Sequence, residues 1–573
     1  MSKKLRYIPI AIPLVIMGFV LIMGVINPDF ITIMTDFFLA LMGGGGWLVA
    51  LGIVLFLGFL VFLYIHPIGK TKFGGPKALP KYSTWNWWAI SLCAGIGTGI
   101  VFWGAVEPLT ISFAPPTSMG LEPGSYEAII WAMAKSFQHW AFQPYSIYAV
   151  AAICCGYAYW NMGKDYATSS GLVYWNNGKN LNSKLNDVLD GIILFGIVGG
   201  VAGSLGYGLM QIGAGLNFVI PSIESGPMVW TIIAVLIIIS YTISSATGLD
   251  KGIQWLSDKN AWIFIILMIF VFCCGPMQYI CNLFTEASGY YINNIISLTT
   301  FTEPVVTAIS DSEMWPQWWD LYWMTDWMAF GPIVGLFLVK MSYGRTIREF
   351  ITVNVVLPSV FGMIWFSIFG GFALNIQLTG AFDLMAFYNE SGAEAFMMKL
   401  FEFLPGTDII RVIMLVLISL SFITLADSMT STISQMSLKN QTSDVKEAPL
   451  PIKVFWGVLI GAVSVLFVCS GGIEGIKIVK TIAGFPILFI QIAMIIGFLR
   501  YFLKGKNKND EITYADDLER QLVMSEKEAQ EEIALGKDKK KWFNFQKSEA
   551  ERRYEREQKA NKGKADGQDD ESH

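Results

Sequence analysis

The sequence predicts an all-α polytopic membrane protein with twelve transmembrane helices and a charged tail. Composition, apolar segments and loop charges support this class. Of the 573 residues, 54% are hydrophobic and 15% are charged, whereas an average soluble protein is about 25% charged. Residues 504–573 alone carry 34 of the 85 charged side chains. The composition argues against a soluble enzyme and a disulfide-rich secreted fold, and the net charge of −5 suggests no nucleic-acid partner.

Twelve segments have the roughly 20 mostly apolar residues that a helix needs to cross the hydrocarbon core of a bilayer. They are residues 8–26, 46–65, 86–105, 137–159, 189–218, 228–247, 261–282, 321–340, 352–374, 408–432, 454–472 and 479–503. We expect residues 1–503 to form one transmembrane domain and residues 504–573 a solvated or disordered cytoplasmic tail. A regulatory tail that touches anionic lipid or senses osmolality is the functional alternative.

The loop charges alternate along the chain. Lysine and arginine gather in every second loop, for example Lys70 and Lys72 after the second span and Arg345 and Arg348 after the eighth. Because cationic loops resist translocation, this pattern predicts an even number of spans in the cell membrane with both termini cytoplasmic. Ten or fourteen spans would fit the same alternation. The long acidic segment 283–314 is expected to hold a helix on the outer surface.

Two predicted spans contain residues that weaken a helix. Gly95, Gly97 and Gly99 lie in the third span, where each glycine costs helix stability. They indicate either an unwound stretch that binds an ion or substrate or close helix packing through small residues. The eighth span has its weak point at Gly331-Pro332, because proline removes a backbone donor.

These weak points divide the chain into two comparable halves. Spans 3–7 and 8–12, residues 86–282 and 321–503, would each open with an interrupted helix. Five helices are an odd number, so the two halves would have opposite orientations in the membrane. Interrupted helices at matching positions of two halves point to the binding site of a transporter.

Two spans carry clustered aromatic side chains that could surround a cation. A box of ring faces holds an onium ion without a formal counter-charge. The alternative is an aromatic belt at the membrane interface. The residues are Trp323, Trp327 and Phe330 on one side of the eighth span, and Trp140, Tyr145 and Tyr148 in the fourth.

Asp326 lies within the eighth span, and the sequence offers no obvious cation beside it. A carboxylate at that depth must face a cavity, find a partner or take a proton. The alternative is that the span begins later and Asp326 lies in an external vestibule. The spans otherwise hold His139, Asp427 and few ionisable residues. An enzyme site usually needs several such groups, so we expect no catalytic residue and no cofactor.

Several stretches resemble the betaine/carnitine/choline transporter family. They are Gly104-Ala105-Val106-Glu107-Pro108-Leu109, His139-Trp140, and the run from Trp318 to Phe350 that includes GRTIREF. The resemblance implies a LeuT-type inverted repeat of two five-helix halves preceded by two extra helices. It further implies uptake or exchange of a small quaternary-ammonium compound such as betaine, carnitine or choline, by alternating access in the lipid bilayer, often as a homotrimer.

The chain departs from the family pattern at Met324, Asp326 and Phe330, where tryptophan is usual. These changes favour a less methylated amine that donates hydrogen bonds, or a net cation. The substrate-binding residues implied by the resemblance and the aromatic cluster are Trp140, Tyr145, Tyr148, Trp323, Met324, Asp326, Trp327, Phe330, Gly95, Gly97 and Gly99.

Ion coupling stays open at the level of sequence. A weak Na⁺ site could use the backbone near Cys93 and Ile96 together with Thr424 and Ser428, but Leu425 replaces a serine that is usual in sodium-coupled members. Sodium-independent exchange, or proton coupling through Asp326, is the alternative. A channel would need polar rings along a pore, which the aromatic box does not suggest.

Overall fold

The protein is described by a computed structural model that covers residues 5–27, 29–76, 78–96, 99–246, 249–304, 314–439 and 448–505. Helices make up most of these residues, and the described part contains only isolated β-bridges rather than strands. An all-helical chain is therefore confirmed for the described residues. Nearly all of the predicted tail, from residue 506 onward, lies outside them.

The described ranges contain eighteen α-helices, with two π-helical segments at Gln317–Leu321 and Thr352–Val356. The helices are α1 (Tyr7–Ile26), α2 (Phe30–Ile65), α3 (Thr84–Ile96), α4 (Gly99–Phe113), α5 (Tyr126–Trp140), α6 (Phe142–Met162), α7 (Ser183–Val219), α8 (Pro227–Ala246), α9 (Leu249–Cys274), α10 (Met277–Asn293), α11 (Ile295–Thr299), α12 (Tyr322–Met341), α13 (Ile347–Ile351), α14 (Leu357–Leu378), α15 (Leu384–Ser391), α16 (Ala393–Leu400), α17 (Thr407–Met436) and α18 (Leu450–Leu503).

Nine helical segments among the described residues are long and apolar enough to cross a membrane, and the bent pair of α3 and α4 would make ten. Two predicted spans fall outside this count. The fourth span corresponds to α6, which does not qualify, and the sixth contains only the shorter apolar stretch Pro227–Ile243. A polytopic helical membrane protein is thus supported, while the number of twelve spans stays a prediction.

The third predicted span bends sharply at its glycines. Thr84–Gly95 and Gly99–Phe113 are inclined by 65° to each other. Gly97 lies outside the described residues. A Cβ atom on Gly99 would lie 2.7 Å from the ring of Trp140, so glycine lets that ring approach the backbone. Close packing through small residues therefore operates at the bend.

The fourth predicted span is broken, whereas its sequence predicts one continuous helix. The helix ends at Trp140 and restarts at Phe142, with Ala141 in a non-helical conformation. Pro144 has no backbone N–H to donate to the carbonyl of Trp140, four residues earlier. The interruption follows from that missing hydrogen bond.

The predicted interruption at Gly331-Pro332 is wrong, because α12 runs through it from Tyr322 to Met341. The helix is buried along nearly its whole length, so neighbouring helices hold the backbone where one hydrogen bond is missing. The irregular turn of this span lies earlier, in the π-helical segment Gln317–Leu321.

The seventh span differs from its predicted limits. It ends at Cys274, after which Gly275-Pro276 separates it from α10. The helices α10 and α11 fill the start of the segment 283–314, where the sequence predicts a further helix.

The eleventh and twelfth spans are two separate apolar segments, Leu450–Cys469 and Lys480–Leu503, as the sequence predicts. The sequence does not predict that one helix, Leu450–Leu503, runs through both. No proline lies between the two apolar stretches of that helix, so the backbone hydrogen bonds can continue.

Loops that the charge pattern assigns to one side of the membrane contact one another. Leu5, before α1, pairs with Leu438, after α17. Lys72, after α2, pairs with Thr346, after α12. These contacts agree with the alternation of loop charges, and the cytoplasmic orientation itself stays a prediction.

The backbones of α12 and α18 approach closely at Gly484. A Cβ atom there would overlap the carbonyl oxygen of Thr325, in the first turn of α12. By contrast, a Cβ atom on Gly58, in α2, would meet nothing within 4 Å. The contact at Gly484 sets the distance between the two helices, and therefore the positions of side chains between them.

We predict that Gly484→Ala destabilises the protein and that Gly58→Ala does not. Inserting a methyl group into a tightly packed contact typically costs about 1–3 kcal/mol, and the obstacle here is backbone rather than a flexible side chain. Thermal unfolding of both purified variants in the same detergent, followed by size-exclusion chromatography, measures this difference. Equal melting temperatures for the two variants would contradict the packing of α12 against α18.

Candidate substrate-binding site

A cavity lies where the bend between α3 and α4 faces α12. Both predicted halves contribute to its wall, through α3, α4, α5, α6 and α7 on one side and α12, α17 and α18 on the other. The lining residues are Gly95, Gly99, Trp103, Trp140, Tyr148, Ser204, Tyr207, Trp323, Asp326, Trp327, Phe330, Leu425 and Lys480.

Most of the residues predicted to bind substrate line this cavity. They are Gly95, Gly99, Trp140, Tyr148, Trp323, Asp326, Trp327 and Phe330. Tyr145 is not part of the wall, although its ring centroid lies 5.7 Å from that of Trp327. Met324 is buried but does not line the cavity, because it lies on another side of α12. Gly97 is outside the described residues.

The aromatic rings of the cavity are packed around Trp140. Its ring centroid lies 4.7 Å from that of Trp323 and 5.6 Å from that of Trp327, and Tyr148 lies 5.2 Å from Trp327. All four side chains are at most 5% exposed. Their burial among the helices speaks against an aromatic belt at the membrane interface, and their faces provide the negative quadrupole that attracts a cation.

Asp326 has a cation partner that its sequence neighbourhood does not reveal. Its Oδ2 atom accepts a hydrogen bond from Lys480 Nζ at 2.8 Å, and both side chains are buried. The prediction of an acid without a neighbouring cation is therefore wrong. The partner lies 154 residues away in sequence, so helical spacing gives no sign of it. Asp326 is also buried in the cavity wall rather than placed in an open vestibule.

Two lysines of α18 point their ammonium groups at aromatic rings. Lys480 Nζ lies 5.1 Å from the ring centroid of Tyr207 and 5.6 Å from that of Phe330. Lys477 Nζ lies 5.3 Å from the ring centroid of Trp103. The rings thus already stabilise cations of the protein itself, as aromatic faces do for ligand cations.

A second group of buried ionisable side chains lies behind the cavity. Lys135 Nζ donates to Asp320 Oδ2 at 2.6 Å, and the two ring nitrogens of His139 lie 2.6 Å from Asp320 Oδ1 and Glu107 Oε1. Trp140 Nε1 donates to Glu107 Oε2 at 2.8 Å. This chain of contacts reaches the cavity through Trp140.

The expectation that the spans hold few ionisable groups therefore needs correction. Glu107, Lys135 and Asp320 lie just beyond the ends of the predicted spans, yet all three are buried. The helices extend further than the apolar runs, and these charges neutralise one another within them. One feature of the sequence points to them. All three charged residues lie within two positions of a predicted span, at the end that faces the predicted outer side.

The residues of the predicted Na⁺ site are engaged in local contacts. The hydroxyls of Thr424 and Ser428 donate to the carbonyls of Leu420 and Thr424 in their own helix. Cys93 Sγ lies 3.5 Å from the carbonyl oxygen of Ser257. The side chain of Ile96 is outside the described residues. Hydroxyl oxygens that donate in this way retain lone pairs, and the Na⁺ site stays a prediction.

Five residues of the cavity wall were not among the predicted site residues. They are Trp103, Ser204, Tyr207, Leu425 and Lys480. Four of them belong to helices whose sequence suggests a sodium site only, or no site, namely α7, α17 and α18. Trp103 could have been found, because it lies one turn after Gly99 on the same bent span.

Comparison with known proteins finds one transporter family and several of its members. The model of the family described as betaine/carnitine/choline family transporter matches residues 8–507. The glycine betaine transporter OpuD of Bacillus subtilis is 31% identical over 507 residues, covering 87% of this chain and 94% of that protein. The ectoine/hydroxyectoine transporter of Virgibacillus pantothenticus is 31% identical, covering 81% and 90%. A probable glycine betaine transporter of Desulfitobacterium hafniense is 29% identical, covering 83% and 92%.

We predict that the Asp326–Lys480 pair behaves as one unit in stability. Asp326→Asn or Lys480→Met alone leaves a buried charge without its partner, which typically costs about 3–5 kcal/mol. The double variant should recover much of that loss. Melting temperatures of the four proteins form the cycle, with Lys259→Met as a control, because Lys259 pairs with Asp258 at an exposed position. Additive losses in the double variant would contradict the pairing.

Proposed function

Because the chain belongs to the betaine/carnitine/choline transporter family, we propose that its cavity binds a small zwitterion whose cationic group carries at least one N–H. Family membership makes the chain a multi-pass membrane transporter of a small molecule rather than an enzyme. The substrate class is the new element, and the observation that carries it is the Asp326–Lys480 pair inside the aromatic cavity.

The aromatic wall supports binding of the cationic end. Trp140, Trp323 and Trp327 present ring faces and edges within a few ångströms of one another. Aromatic faces attract an ammonium or amidinium ion, and desolvation in a closed cavity strengthens that attraction to about 2 kcal/mol or more. Rings alone would serve any methylated ammonium compound equally well.

The Asp326–Lys480 ion pair supports a preference for zwitterions with an N–H group over trimethylated ones. The indole Nε1 atoms of Trp323 and Trp327 are buried and have no hydrogen-bond partner among the described residues. The Oδ1 atom of Asp326 is buried too, and the hydroxyl of Tyr322 is the protein group near this carboxylate besides Lys480. An N–H group of the substrate could donate to that carboxylate, and a substrate carboxylate could accept from Lys480 or an indole. A trimethylated ammonium group has no N–H and would leave the carboxylate oxygen unsatisfied.

Two of the relatives are named for compounds that differ in whether the cationic group carries an N–H. The one from Bacillus subtilis is named for glycine betaine and the one from Virgibacillus pantothenticus for ectoine and hydroxyectoine. Glycine betaine carries a trimethylated nitrogen, whereas ectoine carries a cyclic amidinium with N–H groups. The acid in the cavity favours the second chemistry for this chain, with glycine betaine as a weaker substrate. Carnitine and choline lack the N–H as well.

The transport step in this proposal is alternating access. The two expected halves, residues 86–282 and 321–503, each supply part of the cavity wall. Movement of one half against the other would open the cavity to either side in turn, as in transporters built from inverted repeats. The LeuT-type arrangement of twelve spans and the homotrimer belong to the same proposal.

We expect the substrate preference to depend on Asp326. In a binding assay that follows tryptophan fluorescence of the purified protein, ectoine should bind about tenfold more tightly than glycine betaine. That ratio corresponds to about 1.4 kcal/mol, which is within the contribution of one hydrogen bond to a charged group.

Replacing the acid should reverse this preference. Asp326→Trp combined with Lys480→Met restores an aromatic residue without leaving an unpaired lysine, so trimethylated compounds should gain relative to ectoine. Asp383→Asn removes an exposed carboxylate on another part of the chain and should change nothing. An unchanged preference in the double variant would remove Asp326 from the site, and no binding of any zwitterion would defeat the proposed substrate class.

A further inference from the structure

The two short contacts of the His139 ring require one additional proton in this group of side chains. Both ring nitrogens lie 2.6 Å from a carboxylate oxygen, Nδ1 from Glu107 and Nε2 from Asp320. A neutral imidazole carries only one N–H, so its other nitrogen is an acceptor. Two acceptors at 2.6 Å would repel each other. One further proton must therefore lie in this group, either on the imidazole or on one of the two carboxyl groups.

We propose that Glu107, His139 and Asp320 form a binding site for one exchangeable proton that is transported together with the substrate. This inference rests on the proposed function, since it names the coupling ion of the same cavity. The site is distinct from Asp326, which the sequence offers as the proton acceptor, because Asp326 already has a cation beside it in Lys480.

The surrounding charges balance when this proton is present. The ionisable groups that face the site are Lys135 of α5, Lys477 of α18, Glu303 of the loop after α11 and Tyr322 of α12. With the extra proton, the positive charges of Lys135, Lys477 and that proton equal in number the negative charges of Glu107, Asp320 and Glu303, whichever group of the site carries the proton. Loss of the proton leaves one negative charge in excess, which a buried setting penalises.

Among the described residues, the other helices packed against α4, α5 and the π-helical segment hold their charged groups elsewhere. Lys399 of α16 pairs with Glu402, and Glu394 of the same helix lies near Tyr388. Glu390 of α15 and Asp36 of α2 are exposed.

The helix α14 packs against α4 and α5 and has no charged residue. The helix α10 packs against α5, and its Glu286 is bonded to Tyr126 while its Tyr291 is bonded to Gln143. The carboxyl groups that can share the proton with His139 are therefore Glu107 and Asp320.

The site is joined to the cavity from two directions. Glu107 accepts a hydrogen bond from the indole N–H of Trp140 at 2.8 Å, and the ring of Trp140 lines the cavity. Asp320 belongs to the π-helical segment that leads directly into α12, which carries Trp323 and Trp327. Repulsion after loss of the proton would act on both Trp140 and the start of α12, and so on the aromatic wall.

The direction of coupling follows from this geometry. The protonated group holds Trp140 against Trp323 and Trp327, which is the arrangement that binds a cation. Protonation should therefore strengthen substrate binding, and by reciprocity substrate should strengthen proton binding. Substrate and proton would then cross the membrane in the same direction.

Proton movement with the substrate is the direct test. In proteoliposomes that contain wild-type protein and a trapped pH-sensitive dye, adding ectoine or glycine betaine outside should acidify the interior along with tracer uptake. Substrate affinity should fall by about tenfold per pH unit above the titration point, as for one linked proton. Tracer uptake without proton movement would overturn the proposal, whereas absence of any substrate binding would instead defeat the proposed function.

The variant Glu107→Gln separates a proton site from a structural one. The amide can donate to His139 and still accept from Trp140, so it imitates a carboxyl group that never loses its proton. Binding should then become independent of pH, and transport should move no protons. His66→Gln, which alters a histidine at the end of α2, should keep the wild-type pH dependence. Weaker binding with an unchanged pH slope in Glu107→Gln would contradict the proposal, and if this variant does not fold, the wild-type measurement still decides.

Discussion

Neutralising buried charge is the constraint on which this structure depends. An apolar bundle cannot hold an isolated carboxylate or ammonium group without a large cost, so Asp326 in α12 requires Lys480 in α18. Next to this pair, Gly484 lets the backbones of the two helices approach closely. One ion pair thereby determines how the helix that carries the aromatic stripe is positioned against the last helix of the chain.

Trp140 lies between two groups of buried polar side chains. On the cavity side, Trp140 faces Trp323, Trp327 and the ion pair. On the far side, its indole N–H is fixed by Glu107, which belongs to the chain of contacts around His139. Trp140 thus lines the cavity with its ring and donates its indole N–H to the charged group behind it. This is the route by which we propose that proton occupancy changes substrate affinity.

The sequence predicts the parts of the site that lie within one helix. The spacing of Trp323 and Trp327, four residues apart, places both rings on one side of α12, and the glycines near Gly95 mark the bend. Partners that come from distant helices cannot be found this way, and Lys480 is the clearest case. The two prolines show a further limit: Pro144 breaks its helix whereas Pro332 does not, because tertiary packing decides which missing hydrogen bond is tolerated.

We propose that the substrate lies between the rings and the Asp326–Lys480 pair. A cryo-electron microscopy map of the protein in lipid nanodiscs with saturating ectoine would locate it. We expect ligand density against Trp140 and Trp327, with the amidinium beside Asp326 and the carboxylate toward Lys480. Ligand density elsewhere in the protein, with this cavity empty, would contradict it.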